Sequence, residues 1–193
     1  MFIQTEVTPN PNVLKFIPGH DVLGEGGAHE FRTPDEAEAS PLADGIFAID
    51  GVARVFFGSD YLTVAVHPGT EWPQVKAPVL AAIMDHYTSS RPLFFTAPVG
   101  GGAVHGDDTV YEGDVAEVVQ EIKDLLDQRI RPAVAQDGGD ILFSRFEPET
   151  GVVWLHMKGA CSGCPSSALT LKSGVENMLK HYVPEVTRVE QTL

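Results

Sequence analysis

A chain of 193 residues with 43% hydrophobic content can bury a real core, in one large domain or two small ones. Its formal net charge of −14 argues against a nonspecific grip on nucleic acid or anionic lipid, both of which need a basic face. Two cysteines are too few for a secreted disulfide framework. No apolar run approaches the roughly 20 residues needed to cross a bilayer, and the start MFIQTEVTPN shows no basic leader. These features predict a cytoplasmic protein with no membrane or nucleic-acid partner.

The first part alternates short elements. FIQTEVT and NVLKFIP read as strands around the turn PNPN. TPDEAEASPLADGIFAI reads as one helix, entered through Thr33 as N-cap and Pro34 in the first turn. Its acidic residues 35–38 fit a helix start better than a metal site. GVARVFFGSDYLTVAVH predicts a hairpin turning at Gly58-Ser59-Asp60. EWPQVKAPVLAAIMDHYTSS predicts a helix with Val75, Val79, Ile83 and Tyr87 on its buried stripe, and PLFFTA an edge strand.

TAPVGGGAVHGDDTVYEGD, rich in glycine and without periodicity, reads as a linker. The predicted organisation is a domain over 1–96, a Gly/Asp-rich linker over 97–112 and a second domain over 113–193. The flanking parts differ in charge, with 5 basic and 12 acidic side chains before the linker and 8 and 12 after it.

In the second part, Val115, Val118, Val119, Ile122, Leu125, Leu126 and Ile130 recur at helical spacing, and Pro132 should kink or end that helix. QDGGD is a sharp turn, and ILFSRFEPETGVVWLHMKG a hairpin turning at Glu149-Thr150-Gly151. After the cysteine loop, Pro165 suits the first turn of a helix whose apolar stripe reads Ala168, Leu171, Val175, Met178 and Tyr182. EVTRVEQTL closes as a strand. The fold class is α+β, with two small α/β domains and the order α-β-β-α-β in the second. Trp72 and Trp154 suit core or hairpin packing. GEGG and GGGA are not phosphate loops, because no Gly-Lys-Ser/Thr follows.

Both cysteines sit in KGACSGCPSS, between a strand and a helix start. Helix N-termini favour anions, so Cys161 and Cys164 are expected as exposed, stabilised thiolates, with Lys158 able to add positive charge. Four readings compete. Two structural core cysteines suit Gly/Pro flanks poorly. A redox dithiol normally carries its proline between the cysteines, whereas Pro165 follows the second. A zinc site would need two of His105, His156 and His181, none at tight His-x₃₋₅-His spacing. An iron–sulfur cluster wants four thiolates, so two per chain imply a second copy and a site undone when the copies part. The count alone does not choose iron over zinc.

RPAVAQDGGDILFSRFEPETGVVWLHMKGACSGCPSSALTLKSGVENMLK resembles the C-terminal domain of the NifU/Nfu family of iron–sulfur scaffold and carrier proteins. TPNPNVLKFIPG, SPLADGIFAIDGVARVFFGSDYLTV and EWPQVKAPVLAAIMDHY are similar to that family's N-terminal domain. The resemblance implies that Cys161 and Cys164 ligate a cluster, [4Fe–4S] or [2Fe–2S], shared by a homodimer. It implies delivery to apo-enzymes such as aconitase-like dehydratases or lipoyl synthase, loading by upstream cluster-assembly proteins, no catalysis, and a two-domain form close to the mitochondrial and alphaproteobacterial proteins, of which the start at Met1 without a transit peptide predicts the bacterial version. Asp137-Gly138-Gly139-Asp140 matches a family motif. A structural role is expected for it, with Gly-Gly permitting the turn and the aspartates bonding local backbone.

Overall fold

A computed structural model describes residues 2–24, 27–95, 109–162 and 165–192, with side chains described throughout except at 165–168. The chain divides into two units, Met1–Ala103 and Val104–Leu193. Most of the expected linker, with part of GEGG and all of GGGA, lies outside the described residues.

The first unit is a five-stranded antiparallel sheet ordered β1-β2-β5-β4-β3, from β1 (Gln4–Val7), β2 (Val13–Ile17), β3 (His29–Phe31), β4 (Val52–Phe57) and β5 (Leu62–Val66). Phe16, Phe31, Val55, Phe57, Leu62 and Val64 face a core shared with the helices. The β4–β5 hairpin forms as expected, closed by Gly58 N–H donating to Tyr61 O at 2.8 Å. β3 was not legible, being a three-residue strand with no alternation to see.

Thr33 is the expected N-cap, its hydroxyl accepting from Glu36 N at 3.3 Å, but the predicted helix is two: α1 (Pro34–Ala37) and α2 (Pro41–Phe47). Pro41 is the cause. It lacks the N–H that would continue α1, and Ser40, fully buried, caps the new start by accepting from Ala43 N. On α3 (Trp72–Thr88), Val75, Val79 and Ile83 are buried as expected. Tyr87 is only half-buried, and His86 takes the inner position. The described residues of PLFFTA, 92–95, form no strand. Phe94 packs against Phe31 and Phe57 while Phe95 turns out to solvent, and Thr96 and Ala97 lie outside the described residues.

His86 is 5% exposed, its Nδ1 has no partner among the described residues, and burial lowers its pKa, with Arg91 adding to the effect. The unfolded chain therefore binds a proton first as pH falls through about 6.5, and the first unit loses stability there that it holds in full above. A His86→Leu variant should lose less melting temperature between about pH 7 and pH 5 than the native chain. An equal loss in both would remove His86 from this role.

The second unit follows the expected order. A helical run of α4 (Asp114–Leu125), a π turn (Leu126–Ile130) and α5 (Arg131–Gln136) precedes β6 (Gly139–Glu147) and β7 (Val152–Gly159). Then come α6 (Pro165–Tyr182) and β8 (Arg188–Thr192), which pairs parallel to β7 in a sheet ordered β6-β7-β8. Pro132 does not end the run, because the turn before it widens and Arg131 N donates to Leu126 O. Tyr111, in the stretch expected as linker, accepts from Phe146 N at 2.8 Å and donates to Phe146 O, tying itself to edge strand β6. Beyond Val175, the inner face of α6 continues through Leu179 and on to Val183 just past the helix. The expected Met178 and Tyr182 point outward, Tyr182 lying under the Arg129 guanidinium.

Trp72 packs at the first core and donates to Pro11 O. Trp154 lies on the hairpin beneath Arg145. Both packing expectations hold.

Candidate functional site

β6 and β7 pair in register from Glu147 and Val152 to Gly139 and Gly159, with one bulge between Phe143 and Arg145. That pairing brings the Asp137–Asp140 turn beside the start of the cysteine loop. Gly138 and Gly159 both take positive φ, +80° and +64°, conformations that side chains resist. Ala160 N donates to Gly138 O at 3.1 Å, stitching the loop to the turn. Ser162 folds back on Gly159 O through both its backbone N–H and its hydroxyl.

Cys161 carries a free thiol and packs into the second core, among residues that include Met157 and Val175. Gly139 makes the room: a methyl group there would overlap Cys161 Sγ, with Lys158 O at 2.9 Å and Cys161 N at 3.1 Å. The structural role expected for the glycine pair therefore reaches the cysteine itself. Sequence reasoning found the turn and missed this contact, because which side chain meets Gly139 depends on the hairpin register.

Two expectations for Cys161 are corrected. The thiol is 6% exposed rather than displayed on the loop. Burial, with Asp137 and Asp140 adding to it, pushes its pKa up to about 12, so it is a neutral thiol rather than a stabilised thiolate. Cys164 and Gly163 lie outside the described residues, and α6 starts at Pro165 as expected.

A buried, neutral thiol is a poor redox nucleophile, since those depend on a lowered pKa. Among the described residues the histidines give no zinc set either. His156 lies on β7 and His181 near the end of α6, with its ring against Tyr182, while His105 is outside the described residues. Among the described residues, no group of three or more His, Cys, Asp or Glu could hold a metal. A sulfur donor in a cradle kept open by glycine suits a soft, thiolate-bound cargo.

Residues 3–90 match the family described as Scaffold protein Nfu/NifU N terminal, and residues 122–190 the NifU-like domain. NifU-like protein 4, mitochondrial, of Arabidopsis thaliana is 53% identical over 99% of this chain and 66% of its own. NifU-like protein 5, mitochondrial, of the same plant is 52% identical, with 68% of its length covered. NFU1 iron-sulfur cluster scaffold homolog, mitochondrial, of Drosophila ananassae is 49% identical, with 64% covered. The chain thus spans about two thirds of the length of the curated relatives it matches. These relatives overturn the expectation of a bacterial, cytoplasmic protein, since they match 99% of the chain and are named mitochondrial. A targeting leader is separable from folded domains, so composition and fold carry no address.

Proposed function

From the premise that the chain belongs to the Nfu/NifU family of iron–sulfur cluster scaffold proteins, we propose that it is a cluster carrier rather than an enzyme. Its cargo is a [4Fe–4S] cluster held by Cys161 and Cys164 from each of two copies. The observation that carries this reading is the Cys161 thiol set against Gly139 at the strand-to-helix turn. Four thiolates are the ordinary requirement of such a cluster. One chain contains two cysteines, so the other half of the ligand set comes from a second copy.

Loading must open a path to Cys161 in its place beside Gly139 and take its proton, because the ligand is the thiolate. Such a site favours hand-over. When the copies separate, half the ligands leave, and the cluster passes to a recipient that offers its own thiolates. Recipients are apo iron–sulfur enzymes of the aconitase-like and lipoyl synthase-like kinds, and the working compartment is the mitochondrion.

The test is anaerobic reconstitution with iron and sulfide, followed by metal analysis and mass by light scattering. Expected are broad visible absorbance, about four irons per two chains and a doubled mass on loading. One zinc per chain in a monomer, or turnover of a disulfide substrate by metal-free protein, would defeat the proposal.

A further inference from the structure

Arg131 grips Asp140 through two parallel bonds, Nε to Oδ1 at 2.8 Å and Nη2 to Oδ2 at 3.0 Å. Its Nη1 also reaches Asp127 Oδ1 at 3.0 Å. Asp140 is 5% exposed, and its Oδ1 additionally accepts from Ile141 N at 2.9 Å. A buried pair of this kind is a weak source of stability, because desolvation offsets most of the attraction. Its placement is more informative. Asp140 directly follows Gly139, which abuts Cys161 Sγ, and its carboxylate acts electrostatically on that sulfur together with Asp137.

Thiolate ligands bring negative charge to this spot, and a bare buried carboxylate beside them would repel it through a medium that screens poorly. Asp137 is exposed and faces water. Asp140 does not, so its compensation has to come from the protein. We infer that Arg131 is a positioning residue for the cluster cargo: by pairing with Asp140 it cancels the carboxylate charge beside Cys161 and so slows cluster loss. This rests on the carrier reading above.

The test uses the full chain loaded anaerobically with iron and sulfide. Cluster loss after adding an iron chelator is followed by visible absorbance, alongside the reduction potential and the melting temperature. Arg131→Gln should lose cluster about tenfold faster than the native chain, because a buried charge is left unpaired. Its potential should move to more negative values. Removing both charges, in Arg131→Gln with Asp140→Asn, should return the rate to within about threefold of native. Arg131→Lys, which keeps the charge, should stay in the same range.

Native-like loss in a folded Arg131→Gln chain overturns the inference, as does a double variant or Arg131→Lys that loses cluster as fast as the single Gln change. Should Arg131→Gln fail to fold, the double variant and Arg131→Lys still decide, since both are expected to hold cluster. A native chain that takes up no cluster, or a Cys161→Ser chain that retains it, removes the carrier reading and this inference together.

Discussion

Replacing Cys161 by serine should leave a folded chain that takes up no cluster. Serine is nearly isosteric, but its hydroxyl is a poor ligand for iron–sulfur clusters, so each copy of a bridged site would lose half its donors. The cost to the fold is separate and small. Cys161 is 6% exposed and packed with apolar neighbours, so a hydroxyl there costs on the order of 1–2 kcal/mol of stability. Loss of visible absorbance and bound iron, with a melting temperature lowered by only a few degrees, is the expected pair of results. Cluster retained at native iron content would remove Cys161 from the ligand set. Cys164→Ser should behave in the same way, and a variant that still loaded would show that the second thiol is dispensable.

Elements with strong local signals were legible. The β4–β5 hairpin with its Gly58-Ser59-Asp60 turn and β-forming arms, the apolar stripe of α4 and the Pro165 start of α6 each follow from a few adjacent residues. What sequence reasoning missed depends on contacts between distant residues. On α6 the stripe drifted from Leu179 and the following Val183 to Met178 and Tyr182, because several apolar positions could face inward and only packing chooses. Phe94 reads as a strand residue until its place against the Phe31 and Phe57 rings is known. The candidate site divides in the same way. Cysteine count and spacing supplied the candidate donors, whereas the burial of Cys161, the Gly139 cradle and the Arg131–Asp140 pair come from the β6–β7 register and from α5. None of those three has a signature in the cysteine loop itself.

Gly139→Ala should be the most damaging change that leaves both cysteines in place. The reason is space, not backbone angle: the added methyl would overlap Cys161 Sγ and crowd Lys158 O at 2.9 Å and Cys161 N at 3.1 Å. Two of those atoms are backbone of the paired strand and loop, so they yield poorly, and Gly139 is locked in register opposite Gly159. The sulfur must move, or the entrance of the hairpin must open. Overpacking of this kind costs about 1–3 kcal/mol, and the displaced thiol should bind cluster about fivefold to a hundredfold more weakly, since that cost works directly against ligand placement. Gly174→Ala is the matched control. That glycine lies within α6 with nothing within 4 Å of an added methyl, so alanine should be neutral or stabilise by up to about 1 kcal/mol, with cluster uptake unchanged. Iron content and melting temperature of the two variants, measured side by side, separate a general intolerance of glycine replacement from a specific need for empty space at Cys161. Equal iron content in Gly139→Ala and the native chain would mean that the sulfur leaves its cradle whenever cargo is bound.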